Sequence, residues 1–111
     1  MTIADWLDSR RPPPPPALRA RIDAALADSL GADEREAAEA CLRAGEQVVE
    51  SLLRENATSR DSAIDLLAAD ALVTYAFEAA SDRPAELTAL AANAMSRIGA
   101  LGADGPPSSV A

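Results

Sequence analysis

A chain of 111 residues that is 49% hydrophobic and 25% charged has room for one domain and enough apolar content to fold it, which excludes a second hydrophobic core and a fully disordered chain. Its net charge of −8 and pI near 4.3 set a repulsive average field against a phosphate backbone, so nucleic acid is not expected as a partner. Alanine is abundant and the aromatic residues are only Trp6, Tyr75 and Phe77, a composition that favours helices over strands.

In chain order, Thr2 is placed to cap a short helix of about two turns, with Asp5 near its start and Ile3, Trp6 and Leu7 on one side. Five prolines, 12–16, follow. They lack amide hydrogens and read as a stiff polyproline II spacer that launches the next helix, with Pro15 or Pro16 as its first residue. The periodicity predicts a second helix over residues 16–30, with Leu18, Ile22, Ala25, Leu26 and Ser29 in line and Gly31 as its left-handed terminator. Asp33 then caps a third helix, with Glu34 and Glu36 in the first turn where the backbone dipole favours acids. The apolar stripe of that helix is Ala38, Cys41, Leu42, Gly45, Val48, Val49, Leu52 and Leu53. Gly45 in a helix interior implies close approach by a neighbouring helix, and Cys41 on the same stripe reads as structural.

Residues 56–62 form a polar turn in which Thr58 or Ser59 would cap the fourth helix; the N-A-T glycosylation pattern there is read as accidental. The fourth helix is expected to end near Ala80, and Pro84 to open a fifth. Leu87, Leu90, Ala91, Ala94, Ile98 and Leu101 line the fifth helix, Gly102 ends it, and a disordered tail follows. The short connections predict an all-α, up-down bundle of about four helices plus the short N-terminal helix. The implied organisation is an N-terminal helix over 1–11, a spacer over 12–16, a helical bundle over 17–102 and a tail over 103–111.

Chemistry-bearing residues are scarce. With one cysteine and no histidine, neither an internal disulfide nor a Cys/His zinc site is available, and the thiol has no base to lower its pKa. Asp61 and Asp65 are neighbours on one helix face but lack a third ligand for magnesium. Glu34, Glu36, Glu39, Glu46 and Glu50 read as a solvated face of the third helix. There is no Gly-rich phosphate loop and no nucleophile paired with a histidine base, so no catalytic residue, cofactor or metal is assigned. The N-terminus carries acids before arginines, the reverse of a secretory signal, and no apolar run is long enough to span a bilayer; the expected location is cytoplasmic.

The fourth helix is the informative one. Ile64, Leu67, Ala68, Ala71, Leu72, Tyr75 and Ala79 form a stripe assigned to the core, while Leu66, Val73 and Phe77 form a second on nearly the opposite side, with Asp70 between Leu66 and Val73. A helix apolar on two sides is either central or touches something beyond its own domain. Its segment LLAADALVTYAFE, residues 66–78, resembles a helix of the trans-polyprenyl diphosphate synthases, whose pattern runs roughly L-A-G-D-A-L-x-x-x-A-F-E. Leu67, Ala68, Asp70, Ala71, Leu72, Ala76, Phe77 and Glu78 match, and Ala69 stands where that family has glycine. The resemblance implies an all-helical, dimeric relative. The D-D-x-x-D motifs that hold magnesium in those enzymes do not occur here, so it implies a non-catalytic relative or an accessory subunit.

The reading that follows is a non-enzymatic interaction module. It self-associates or docks on a larger protein through Leu66, Asp70, Val73 and Phe77. The alternative is a binder of an apolar, isoprenoid-like ligand in a slot between the fourth and fifth helices, with Arg83 or Arg97 at its mouth.

Overall fold

A computed structural model describes residues 1–55, 60–81 and 84–103. It shows a small all-α bundle built from α1 (Ile3–Asp8), α2 (Pro16–Leu26), α3 (Ala37–Glu55), α4 (Arg60–Ala80) and α5 (Pro84–Ala103). Thr2 caps α1 as expected, and in a reciprocal way. Its hydroxyl accepts the Asp5 N–H at 3.2 Å while the Asp5 carboxylate accepts the Thr2 N–H at 3.0 Å, which satisfies two amides that the first turn leaves unpaired. Pro16 opens α2 at its first turn, where a missing amide hydrogen costs nothing. The polar turn at 56–59, including the expected caps Thr58 and Ser59, and residues 104–111 of the tail lie outside the described residues.

Two helix ends differ from expectation. α2 stops at Leu26, not near Leu30, and Gly31 is not left-handed; among the described residues the one with positive φ is Ala27, at φ 49° and ψ −122°. A 3₁₀ turn, Ala27–Gly31, follows, and a second, Glu34–Glu36, leads into α3. The break turns the chain back toward the N-terminus. The Ile3 N–H donates to the Ala32 carbonyl at 2.9 Å and the Glu34 N–H to the Met1 carbonyl at 3.0 Å, around an isolated antiparallel bridge of Thr2 with Asp33. These long-range bonds, invisible in a helical period, offset the shortening of α2. Asp33 caps as expected, accepting the Arg35 N–H at 2.8 Å, but on the 3₁₀ turn ahead of α3. At the other end of the bundle α5 remains helical through Ala103, so Gly102 does not terminate it.

The core runs between α3 and α4, the most extensively packed pair. Ala38, Cys41, Leu42, Gly45 and Val48 of α3 are buried; Val49 and Leu52 are half-buried, and Leu53 is exposed. Ala68, Ala69, Leu72, Ala76 and Ala80 face them from α4, with Ile3 and Leu7 of α1 and Ile22 and Leu26 of α2 closing the same cluster. Gly45 is where the two axes approach. A β-carbon built on it would stand 3.3 Å from Val73 Cγ2 and 3.4 Å from the Ala69 carbonyl oxygen. Among the described residues no helix is long and apolar enough to cross a membrane.

Candidate functional site

The face of α4 turned to α3 is made of small residues, and this fixes what its other face must show. With Ala68, Ala69, Leu72 and Ala76 inward, Leu67 cannot also be core; it is 54% exposed, beside Leu66 at 61%. Assigning Leu67 to the core stripe was therefore an error of about one residue's rotation around the helix. It arises because an alanine-rich helix has several faces of similar hydrophobicity, and the one that turns to α3 is centred on Ala69, Leu72 and Ala76. Of the four residues expected to act together, Leu66 and Asp70 are exposed, whereas Val73 and Phe77 are half-buried, Val73 against the Gly45 seam and Phe77 on the core cluster. Leu66, Leu67, Asp70 and Thr74 form the outer ridge of α4.

Asp70 borders a shallow cleft of about 260 Å³ between α4 and the N-terminal segment, shared with Arg10, Arg11, Pro12, Thr74, Tyr75 and Glu78. The wall of this cleft is well built. The Trp6 and Tyr75 rings meet edge to face at 6.0 Å and 85°, the Arg10 guanidinium stacks 4.5 Å over Trp6, and its NH1 lies 3.6 Å from the Glu78 carboxylate. Stacking of this kind strengthens as the ion is desolvated, and the Arg10 Nε is covered without an oxygen acceptor among the described residues. Burial first, and then the charge of Glu78, push the Tyr75 phenol above its ordinary range. The Thr74 hydroxyl donates to the Asp70 carbonyl at 2.9 Å. The Asp70 carboxylate itself has no hydrogen-bond or ion-pair partner among the described residues.

Most other described charges are engaged. Arg19 bonds Asp8 and Asp23, each at 2.8 Å, and Arg21 bonds Asp65. Arg97, expected at the mouth of a ligand slot, reaches back to α3, with NH1 3.1 Å from Glu39 and 3.7 Å from Glu46. The polar face of α3 is thus partly a seat for α5. The signal in the sequence was the lone base of the fifth helix facing acids seven apart on the third. Arg83 lies outside the described residues.

Another open cleft, about 380 Å³, lies between the end of α2 and α3 and is bordered by Ala27, Asp28, Glu36, Glu39 and Arg43. Among the described residues no cluster of acids and cysteine could hold a metal ion. Burial pushes the Cys41 thiol up to about 12, which leaves almost no thiolate at neutral pH and fits its structural reading. Neither a protein-family model nor a curated protein nor a solved structure matches this chain.

Proposed function

We propose that this protein is a non-enzymatic helical interaction module that docks a protein partner through the outer ridge of α4. The observation that carries the reading is the pair Leu66 and Leu67, each more than half exposed on a helix whose opposite face, Ala68, Ala69, Leu72 and Ala76, is buried against α3. Exposed apolar side chains grouped beside a charged rim mark contact surfaces more often than solvent-facing ones. Val73 and Phe77, half-buried behind the ridge, give it a firm base.

Asp70 bears on the kind of partner. Its carboxylate is unpaired among the described residues, and burying it in an interface without a counter-charge is costly. A partner that covers Leu66 and Leu67 therefore brings an arginine, a lysine or a backbone donor to Asp70. A second copy meeting the same ridge about a two-fold axis would instead bring one Asp70 towards another. The ridge fits a different protein, and the chain serves it as an accessory or adaptor.

The test places a photo-reactive amino acid at Leu66 in the full chain and, as a control, at the exposed Ala24 of α2. Irradiation in the native host is expected to give a discrete adduct from position 66, absent from position 24 and lost when Asp70 is replaced by arginine. Equal adducts from both positions, or none from position 66, would show that the ridge is plain solvent surface.

A further inference from the structure

We propose that the proline segment 12–16 is itself a ligand, docking into a partner domain's aromatic-lined groove whose end carries a carboxylate for Arg11. Each of Pro12, Pro13, Pro14 and Pro15 precedes another proline, which holds its ψ extended while its own ring fixes φ. Pro15, at φ −55° and ψ 148°, stands in the polyproline II region. Such a rod runs about 12 Å from Pro12 to Pro16 and repeats every third residue. Pro12 and Pro15 therefore share one edge, Pro13 and Pro16 a second, and Pro14 lies on the third. Pro14 is half-buried, whereas all four residues of the other two edges are exposed. The rod is also fastened at both ends. Arg11 NH1 donates to the Asp8 and Arg10 carbonyls at 2.9 and 2.8 Å, and the Arg19 N–H donates to the Pro15 carbonyl at 2.9 Å. A segment already held in its bound shape loses little freedom on docking.

The chemistry of the rod selects its occupant. Proline has no N–H, and the carbonyls of Pro12, Pro13 and Pro14 accept no hydrogen bond among the described residues. Flat apolar rings beside free acceptors are matched by tryptophan and tyrosine, which offer an apolar ring and a donor at its edge. A second copy supplies no such groove, because Trp6 and Tyr75 stack on each other and Phe77 packs on the core. Charge fixes the end of the groove. Residues 9–22 hold four arginines and no acid on a chain with 18 acids. Arg10, Arg19 and Arg21 are held by carboxylates of their own chain. Arg11 is exposed and its NH1 meets only carbonyl oxygens; Asp70 borders the same cleft without bonding to it. The Nε and NH2 edge of Arg11 has no partner among the described residues, and that edge is the fork on which a carboxylate makes two parallel bonds.

The experiment titrates the full chain into two isolated probes, an SH3 domain and a WW domain, each with an acidic residue beside its aromatic groove. Binding is read from the amide chemical shifts of the probe. At least one probe is expected to bind, with shifts confined to its groove. The double variant Pro13→Ala, Pro15→Ala weakens that binding about tenfold or more, and Arg11→Glu about tenfold. These residues are exposed, so the circular dichroism of both variants stays that of wild type. Leu66→Glu leaves the titration unchanged, which keeps this result separate from partner capture at the α4 ridge. No binding by either probe at millimolar concentration, or binding that survives the proline variant or Arg11→Glu, overturns the proposal and leaves the segment a spacer. Self-association of the chain alone, lost in the proline variant, overturns it in favour of a second copy.

Discussion

Ala27 holds a backbone conformation, φ 49° and ψ −122°, that places its β-carbon against its own carbonyl groups and suits only glycine without strain. Such a residue persists because its surroundings over-determine it, here the backbone hydrogen bonds that join residues 1–3 to 32–34. Strain of this kind costs about 1–3 kcal/mol, and a glycine loses about 0.4–1 kcal/mol through the freedom it adds to the unfolded chain. Ala27 is exposed, so Ala27→Gly removes no packing and is expected to stabilise the domain by about 1 kcal/mol, read as a higher urea midpoint at unchanged slope. A lower midpoint would mean that the strain is absent. This residue was not legible in the sequence, where alanine continues a helical period and Gly31 is the natural place to stop. Thr2 and Asp33 were legible, because a cap acts through its own side chain on amides two or three residues away.

The seam of α3 and α4 shows the same division among elements. Gly45 within an apolar stripe announces a close crossing, and the structure has one, with Val73 Cγ2 at 3.3 Å from the modest volume a methyl group would fill. Gly45→Ala sets a helix-propensity gain of about 1 kcal/mol against a contact that Val73 must relieve, so the two nearly cancel. Gly45→Leu has no such relief on the Ala69 backbone side and is expected to lower stability by about 3 kcal/mol through overpacking, measured by denaturant titration; a neutral Gly45→Leu would mean that the helices slide apart freely. What periodicity left open was the rotation of α4. An alanine-rich helix offers several faces of nearly equal hydrophobicity, and which one turns inward is decided by the partner's small residues. That is why Leu67 was placed inside, and why the outer ridge emerged only with the fold. The all-α bundle and its helix order were readable because Pro16, Pro84 and the polar turns punctuate the chain by local chemistry.

For the molecule as a whole, the buried neutral groups set its response to alkali. Burial raises the Cys41 thiol from 9.0 to about 12, and Tyr75 is raised as well. A group whose pKa is higher in the folded state stabilises fully below its unfolded value and loses that contribution as the pH climbs toward the folded one. Stability is therefore expected to be level from neutrality to about pH 9 and then to fall, by about 1 kcal/mol at pH 10 for the thiol alone. Urea midpoints across this range check it. In Cys41→Ala the baseline is lower, but most of the slope above pH 9 is lost; an unchanged slope would place the sensitivity elsewhere. At this scale the sequence showed that the fourth helix has more than one apolar side, while which of them the bundle covers depended on the fold.

The edge-to-face pair of Trp6 with Tyr75 gives the protein a built-in optical reporter with a narrow view. The only tryptophan sits on α1, under the Arg10 guanidinium, so its emission follows the seating of the N-terminal helix against α4 and is nearly blind to the α3 and α4 seam or to α5. Fluorescence and circular dichroism will trace one curve only if that helix leaves together with the rest. Any separation between the two curves measures how tightly the first eleven residues are fastened to the domain they close.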